Sequence, residues 1–130
     1  MKTFVAVDKS DGTVLSSVSL IGPIPIPDDP AVAERISALP PGLLHWTVTG
    51  VYTRPEARHK GISGNLLHHV WEWATQRSTV QGSSLIFTAE VMRTSHGARR
   101  LYEDFGFSEL GEVDGRVRVM RCVEASSRRS

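Results

Sequence analysis

The order of the segments between residues 43 and 107 limits what this chain can fold into more than any other feature of its sequence. Residues 43–53 (LLHWTVTGVYT) are rich in β-branched and aromatic side chains and end two residues before Pro55, a pattern that predicts a central strand. From Ile62 to near Arg77, apolar residues recur at helical spacing opposite a polar side, which predicts an amphipathic helix. The apolar side comprises Leu66, Leu67, Val70, Trp71, Trp73 and Ala74.

The same order of strand and helix then repeats. Residues 84–91 form a second apolar run of strand length, and a helix pattern follows that ends at Gly106. The apolar positions of this helix, at i, i+3, i+4 and i+7, are Ala98, Leu101, Tyr102 and Phe105. Residues 107–113 and 116–123 are expected to be two final strands, joined through an Asp-Gly turn as a hairpin.

The N-terminal part combines a predicted hairpin with a proline-rich segment. Residues 3–7 and 14–20 are β-rich runs separated by an Asp-Gly turn, a pattern typical of an antiparallel hairpin. Residues 22–42 carry six of the seven prolines, so we expect a long loop rather than a central strand. Within this loop Asp29 is a candidate cap for a short helix over residues 30–39.

Length and composition favour a single globular domain. The 130 residues, of which 40% are hydrophobic, are enough for one core, expected over residues 1–124 and followed by a disordered tail at residues 125–130. A formal net charge of +1 is too small for the electrostatic field that binds nucleic acid. The single Cys122 cannot form an internal disulfide, and no segment resembles a signal peptide or the roughly 20 apolar residues of a membrane span. We therefore expect a cytoplasmic protein that binds neither nucleic acid nor a membrane.

Residues 57–67 (ARHKGISGNLL) join the first predicted strand of the central unit to its helix through a basic, glycine-containing turn. The first N–H groups of a helix have no partner within it, so they gather at this turn and can bind an anion. Arg58, His59 and Lys60 add positive charge beside Gly61. The turn is therefore a candidate phosphate cradle, and an ordinary solvated loop is the alternative.

This turn resembles the acetyl-CoA motif of the GNAT superfamily of N-acetyltransferases, which reads Q/R-x-x-G-x-G/A. Arg58, Gly61 and Ser63 occupy the three defined positions, and Gly64 follows. Ser63 stands where the family has Gly or Ala, and its small side chain still permits close approach to the backbone. The strand edge and the proline that precede the turn in the family correspond to Val51, Thr53 and Pro55.

Residues 90–107 (EVMRTSHGARRLYEDFGF) resemble the C-terminal motif of the same family, which reads roughly V-x-x-x-N-x-x-A-x-x-L-Y-x-x-x-G-F. The spacing matches throughout. Ser95 replaces the Asn, and serine is an equally good helix cap. The other matching positions are Val91, Ala98, Leu101, Tyr102, Gly106 and Phe107.

The resemblance covers about residues 43–107 and implies both a fold and a reaction. The implied fold is α/β of the α+β type, with a mixed, mostly antiparallel central sheet flanked by two main helices. The implied reaction is acetyl transfer from acetyl-CoA, by direct attack, to a primary amine of a small molecule, a peptide N-terminus or a lysine. The residues expected at the cofactor are Val51, Thr53, Arg58, His59, Lys60, Gly61, Ser63, Gly64 and Ser95.

Acetyl transfer needs a neutral amine, a stabilised oxyanion and a proton for the departing thiolate. Tyr102 lies where members of the family use a tyrosine as the acid that faces the sulfur, although a core aromatic on a helix face is the alternative. Backbone N–H groups around Gly50 to Tyr52, where the glycine predicts a bulge, are expected to stabilise the oxyanion.

Two residues are candidates for the base. Glu90 stands twelve positions before Tyr102, the separation found in the similar E-V-R-x-S-N segment of ribosomal-protein N-terminal acetyltransferases, where the Glu draws a proton off the amine. The alternative for Glu90 is a strand-end carboxylate in a surface salt bridge. His45 is the second candidate because imidazole titrates near neutral pH, and its alternative is a half-buried packing residue.

Other ligands and partners are less constrained by the sequence. With one cysteine, and with His68 and His69 adjacent on one helix, no metal site is expected. GNAT domains usually have a strand and two helices before the first hairpin, whereas only two residues precede it here. Either the chain is a truncated or degenerate member of the family, or residues 22–42 or a second subunit complete the acceptor pocket. An exposed sheet edge favours a homodimer. A non-catalytic acyl-CoA-binding or regulatory domain is the alternative function.

Overall fold

The computed structural model describes residues 1–39, 42–58, 60–81 and 84–123, so the expected tail at residues 125–130 lies outside it. A sheet and its helices account for most of this part of the chain. The strands are β1 Lys2–Val7, β2 Val14–Ile24, β3 Leu44–Thr53, β4 Leu85–Met92, β5 Ser108–Val113 and β6 Arg116–Val123. The helices are α1 Pro30–Ile36, α2 Ile62–Gln81 and α3 His96–Asp104, and a 3₁₀ turn spans Pro55–Ala57.

The six strands form one mixed sheet in the order β1-β2-β3-β4-β6-β5. Only the β3–β4 pair is parallel among the described strands, because α2 carries the chain back across the sheet between them. The two hairpins, β1–β2 and β5–β6, form as predicted, the latter through Asp114 and Gly115 at positive φ. The structure thus confirms a mixed, mostly antiparallel sheet.

Helices α2 and α3 cover one face of the sheet and α1 covers part of the other. The predicted apolar side of α2 is in the main core, where Leu67, Val70 and Ala74 are buried. Alternate residues of β4, such as Phe87, point into the same core. On the opposite face, Val32 of α1 packs with a smaller cluster that contains Ile86 and Met120. No helix within the described ranges is both long and apolar enough to cross a bilayer.

The proline-rich segment differs from the prediction of a loop that begins at residue 22, because β2 continues through Pro23 to Ile24. The pairing steps from Ile21↔Thr47 to Ile24↔His45, which leaves one extra residue on β2. A proline is tolerated within such a bulge because the ladder does not need its missing N–H. This bulge thus allows β2 to include Pro23.

The helix boundaries also differ from the predicted ones. The Asp29 carboxylate accepts a hydrogen bond from the Ala31 N–H at 2.8 Å, as expected of a cap, but α1 ends at Ile36 rather than at residue 39. Helix α2 continues to Gln81, beyond the predicted end near Arg77. Helix α3 ends before Gly106, whose φ of +88° favours glycine.

Candidate active site

The two parallel strands part from each other at the centre of the sheet. Their ladder runs from Leu44↔Leu85 to Val48↔Ala89. Beyond that point β3 continues beside β2, with Tyr52 opposite Ser17, and β4 continues beside β6 to Met92. A cleft therefore opens between the carboxyl ends of β3 and β4, and ligands of α/β sheets bind at this end of parallel strands.

A bulge in β3 lies at the mouth of this cleft. The pairing with β2 steps from Thr49↔Ser19 to Tyr52↔Ser17, so β3 has one extra residue at Gly50 and Val51. Gly50 has a φ of +61°, which confirms the bulge predicted from the glycine. Val51 is half-buried and packs against the main core. The backbone at this point is thereby turned out of the regular ladder.

The turn predicted to be a phosphate cradle joins β3 to α2. The Arg58 Nε donates a hydrogen bond to the Thr53 carbonyl at 3.1 Å, and the Gly61 carbonyl accepts from the Asn65 N–H at 3.1 Å. Gly61 is therefore the residue that precedes the helix, and its φ is +74°. The N–H groups of the first turn of α2 have no acceptor within the helix and point out of its beginning.

Open space adjoins this beginning of α2. A Cβ atom placed on Gly61 or on Gly64 would meet no atom within 4 Å, so a ligand can approach the backbone at both positions. Arg58 and Lys60 are exposed beside them. His59, which was expected to join these cations, lies outside the described residues. The arrangement suits an anion, because N–H donors and positive charge converge at a helix N-terminus.

Ser63, which replaces the family's Gly or Ala, is engaged in a chain of hydroxyl groups. Its hydroxyl bonds to that of Thr53, which lies 3.0 Å from the hydroxyl of Ser16. The Ser16 hydroxyl donates to the Tyr52 carbonyl at 2.8 Å. Because the carbonyl can only accept, the chain runs in one direction, with Ser63 donating to Thr53 and Thr53 donating to Ser16. It ties the first turn of α2 to β2 and β3.

Glu90 lies on the opposite face of the sheet from the helices. Its neighbours Ala89 and Val91 point into the main core, so Glu90 points to the other side and lines a cavity of about 580 Å³. The Arg116 guanidinium is 3.4 Å from the Glu90 carboxylate, and both side chains are more than half exposed. The salt bridge weighed as an alternative is therefore present, but an exposed pair of this kind is weak and leaves the carboxylate accessible.

The proline-rich segment forms one wall of this cavity through Ile24, Pro25 and Pro27. The proline-rich segment therefore lines this cavity, and its part in an acceptor pocket stays a prediction. The opposite wall and floor come from β3, β4 and β6, including Arg118, whose guanidinium pairs with Asp29. A single chain therefore supplies walls on both sides of the space beside Glu90.

His45 is at the base of the same cavity and is only 2% exposed. Its Nδ1 is 3.0 Å from the Pro25 carbonyl oxygen, and its Nε2 is 2.7 Å from the Thr88 hydroxyl. The Thr47 hydroxyl is 2.8 Å from that of Thr88. Burial lowers the pKa of His45 below its ordinary value, and the contact with the Pro25 carbonyl partly opposes this shift. The imidazole is therefore neutral near pH 7.

Tyr102 is on the helix side of the sheet and is 2% exposed. Its ring packs edge to face with Phe107 at a centroid distance of 5.1 Å. Burial raises the pKa of Tyr102 to about 12, so the phenol keeps its proton at neutral pH and is a weaker acid than a solvated tyrosine. Tyr102 is not among the residues that line the cavity beside Glu90, and the two side chains lie on opposite sides of the sheet.

Ser95 occupies the position before α3 that the motif comparison indicated. Within the part of the chain that the structure describes, the Ser95 hydroxyl makes no capping hydrogen bond to α3, so the expected cap is not formed. The Ser95 carbonyl instead accepts from the Arg99 N–H at 3.0 Å. The half-buried hydroxyl is thus not committed to the helix.

Metal ligands do not cluster in the described ranges, where no three His, Cys, Asp or Glu side chains lie close enough to hold an ion. His68 and His69 are both exposed on α2, and the nearest acid to His68 is Glu72 at 3.5 Å. Their adjacency therefore reflects a solvated helix face.

The sequence profile of the acetyltransferase (GNAT) family matches residues 4–107. The chain belongs to this family. The match covers both predicted motifs as well as the N-terminal hairpin and the proline-rich segment. A search among curated protein sequences found no match.

Several solved structures that are similar to this GNAT chain are named as N-acetyltransferases. The ribosomal-protein-S5-alanine acetyltransferase from Vibrio fischeri superposes with a TM-score of 0.65 at 17% identity, over 92% of this chain and 60% of that one. Arabidopsis thaliana NAA60, in complex with a bisubstrate analogue, gives 0.67 at 15% identity, over 95% and 75%. The paia N-acetyltransferase from Thermoplasma acidophilum, in complex with coenzyme A, gives 0.60 at 16%, over 85% and 55%. At these identities the likeness shows the GNAT fold.

Sequence reasoning missed the pair Thr47 and Thr88, which lie beside His45 on the same side of the sheet in this GNAT chain. A signal for the pair was present, because polar residues alternate with apolar ones on both central strands, at residues 45, 47 and 49 and at residues 88 and 90.

Proposed function

We propose that this GNAT domain is an acetyl-CoA-dependent N-acetyltransferase that transfers an acetyl group to a primary amine by direct attack. The observation that carries the proposal is the parting of β3 and β4 after Val48↔Ala89, with the cradle at the start of α2 on one side and the cavity beside Glu90 on the other. A thioester arm that lies in the cleft would present its carbonyl to an amine held in the cavity.

The cradle would bind the pyrophosphate of the co-substrate. The N–H groups of residues 62–64 supply directed donors, Arg58, His59 and Lys60 supply positive charge, and the absence of side chains at Gly61 and Gly64 permits close approach. Farther along the cleft, the backbone of Val51 and Thr53 would face the arm from β3, and the uncommitted Ser95 hydroxyl would face it from α3.

Tyr102 and Glu90 would act from opposite sides of the sheet. The Tyr102 phenol, protonated at neutral pH, would donate to the sulfur as the thiolate departs. The Glu90 carboxylate would accept, directly or through water, a proton from the ammonium form of the acceptor as it enters the cavity. The N–H groups turned out at the Gly50 bulge would stabilise the oxyanion.

The residues that line the cavity are compatible with several classes of amine as the acetyl acceptor. Its polar lining includes a carboxylate, which suits a cationic amine, and its volume of about 580 Å³ suits a small molecule, a peptide N-terminus or a lysine side chain. The similarity to a ribosomal-protein-S5-alanine acetyltransferase favours a peptide amine. The lone Cys122 fits a reducing, cytoplasmic setting.

A non-catalytic acyl-CoA-binding domain is the second candidate. The burial of Tyr102 favours it, because the sulfur of the thioester can reach the Tyr102 hydroxyl only if the thioester arm enters the cleft beside this side chain. The two candidates share the cradle and differ in turnover. Binding measurements therefore test the cradle, and thiol release tests the enzyme.

The first experiment is calorimetry of the protein with coenzyme A, for which we expect micromolar binding. Changing both Arg58 and Lys60 to Ala should weaken binding about tenfold, because two phosphate-facing charges are lost. Lys9→Ala, which removes an exposed lysine from the β1–β2 turn, is the matched control. No binding by the wild type would contradict both candidates.

The second experiment measures thiol release from acetyl-CoA over a panel of small amines, peptides with free N-termini and lysine peptides. Turnover with at least one amine class is expected. Binding of coenzyme A without release on any amine would favour the non-catalytic candidate.

A further inference from the structure

We propose that the hydroxyls of Thr47 and Thr88 form a proton relay that ends at His45, and that this relay takes the second proton the amine loses, during its attack on the thioester. The inference rests on the proposed function and adds to it a path and a final acceptor. His45 acts through the two hydroxyls, so it is a positioning and proton-accepting residue at a distance from the substrate.

The hydrogen-bond directions follow from the chemistry of the partners. The Pro25 carbonyl can only accept, so the contact of 3.0 Å at Nδ1 requires that this nitrogen carries the hydrogen. The neutral ring then has a free acceptor at Nε2. The hydroxyls of Thr88 and Thr47 are 2.7 Å and 3.5 Å from it, and the shorter contact assigns the donation to Thr88. The Thr88 oxygen accepts in turn from the Thr47 hydroxyl at 2.8 Å. Every hydrogen in the chain therefore points toward His45.

The relay begins beside the point where the strands part. Thr47 and Thr88 are register partners on β3 and β4, one position before the last pair, Val48↔Ala89. Both side chains line the cavity on the Glu90 face of the sheet, and both are half-buried. The oxygen of Thr47 thus offers a lone pair to the cavity close to where a carbonyl in the cleft would be attacked.

The amine loses two protons in the reaction, so two groups must accept them. An amine that enters as an ammonium ion loses the first proton to become nucleophilic, and Glu90 at the cavity is placed to take it. When the amine nitrogen bonds to the thioester carbon, it becomes positively charged and loses a second proton. The departing sulfur takes up one proton, from Tyr102 in the proposed function, so one proton is released overall.

The relay would carry the second proton in three concerted transfers. The N–H bond of the amine breaks and an O–H bond forms at Thr47, whose own hydrogen passes to Thr88, whose hydrogen passes to Nε2 of His45. Both hydroxyls are regenerated, and His45 becomes an imidazolium whose Nδ1–H still donates to the Pro25 carbonyl. After product release, the same three proton transfers run in reverse and return the proton to the cavity.

The surroundings favour an imidazole that is neutral at rest and returns its proton readily. Burial lowers the pKa of His45, and the ring lies between two strands with only hydroxyl and carbonyl partners among its described contacts. Of the charged groups that line the same cavity, Glu90 is paired with Arg116, and Arg118 is paired with Asp29. The two opposite charges within each pair nearly cancel, so neither pair holds His45 permanently in its charged form.

A structural role for His45 is the competing explanation, because its Nδ1–H also ties the proline-rich wall to β3. Two neutral replacements separate the roles. His45→Asn keeps an amide N–H near the position of Nδ1 and loses the acceptor, whereas His45→Gln keeps an amide oxygen near Nε2 and loses the tie. Only the relay requires a group that can be protonated.

The test measures kcat and KM of the full chain against pH, with the best amine from the panel. We expect His45→Asn, His45→Gln and Thr88→Val each to lower kcat roughly 100-fold, with KM changed less than threefold and the low-pH limb of the kcat profile lost. Thr88→Ser and Thr47→Ser, which keep the hydroxyl, should recover most of kcat. Thr3→Val is the matched control, since it removes a strand hydroxyl bonded to Ser19 at 3.0 Å outside the cavity.

Several outcomes overturn the relay. A His45→Asn variant with wild-type kcat would show that the ring only ties the wall, and a fully active Thr47→Val would show that the path does not begin there. ¹⁵N spectra of the imidazole supply a readout that needs no turnover, with the Nδ1–H tautomer expected in the wild type and an altered Nε2 signal expected in Thr88→Val. An Nε2–H tautomer would overturn the relay alone, whereas coenzyme A binding without any turnover would overturn the proposed function and the relay together.

Discussion

Thr47 and Thr88 face each other across the two parallel strands of the sheet, with their hydroxyl oxygens 2.8 Å apart and one position before the strands separate. They come from segments 41 residues apart in the chain. A buried histidine lies on one side of this pair and an open cavity on the other.

Changing Tyr102 to Phe should slow thiol release about 100-fold and change the free energy of unfolding by less than about 1 kcal/mol, because the ring that packs on Phe107 is kept. Steady-state kinetics and urea unfolding measure the two effects. Phe107→Leu, which weakens the same aromatic pair without removing a hydroxyl, should lower stability by about 1 kcal/mol and spare the thiol-release step. Wild-type turnover in Tyr102→Phe would contradict the acid role.

Substitutions at Gly64 should block the cradle without unfolding the helix. A Cβ at this position meets no atom within 4 Å, so Gly64→Ala and Gly64→Val are both compatible with α2. Coenzyme A affinity should fall with the size of the side chain, by about tenfold or more for Val, because the backbone loses its close contact with phosphate. Equal affinities across the series by calorimetry would argue against the cradle. Gly61, with a φ of +74°, would instead lose stability on substitution.

Protonation of His45 should lower the stability of the fold as the pH falls below about 6.5. Its pKa is lowered in the folded state, so the unfolded chain binds more protons as the pH falls through the ordinary pKa near 6.5, and the folded state is destabilised there. Urea unfolding at pH 5 and pH 7 should show a smaller difference for His45→Asn than for the wild type. The carboxyl pKa values of Asp8 and Asp29 are also lowered, but they act below about pH 4. An unchanged difference in the variant would assign the pH dependence elsewhere.

Ser16→Ala should destabilise the fold by about 1 to 2 kcal/mol, because a fully buried hydroxyl that bonds to the Tyr52 carbonyl and to Thr53 is lost. Thermal or urea unfolding measures the loss. Ser10→Ala removes an exposed hydroxyl that bonds only locally, to Asp8, and should cost much less. Similar losses in the two variants would mean that the hydroxyl chain does not support the turn into α2.

The homodimer remains a prediction, and the exposed edge of β1 is where we place it. Val5 and Val7 on this strand are about half exposed, and an unpaired edge with apolar side chains favours association. Light scattering should give a dimer mass for the wild type and a monomer mass for Val5→Lys. A monomer mass for the wild type at working concentrations would contradict the dimer.

Local chemistry explains what the sequence predicted well. The Asp29 cap, the turn at Asp114 and Gly115 and the end of α3 before Gly106 each depend on residues within a few positions of one another. The path of β2 through Pro23 was missed, because the bulge that tolerates it depends on pairing with β3, more than twenty residues away. The cap expected of Ser95 was wrong, since its hydroxyl makes no hydrogen bond to α3 although Ser95 directly precedes the helix.

The sequence by itself determined the order of strands and helices, the apolar faces and the two motifs of the family, because periodicity and turn chemistry act over short distances. Only the tertiary structure decided that β3 and β4 part after Val48↔Ala89, that the proline-rich segment faces Glu90 and that His45 meets Thr88. These relationships join residues distant in the chain, and they arise because burying both faces of the sheet leaves one register in which the apolar side chains are covered.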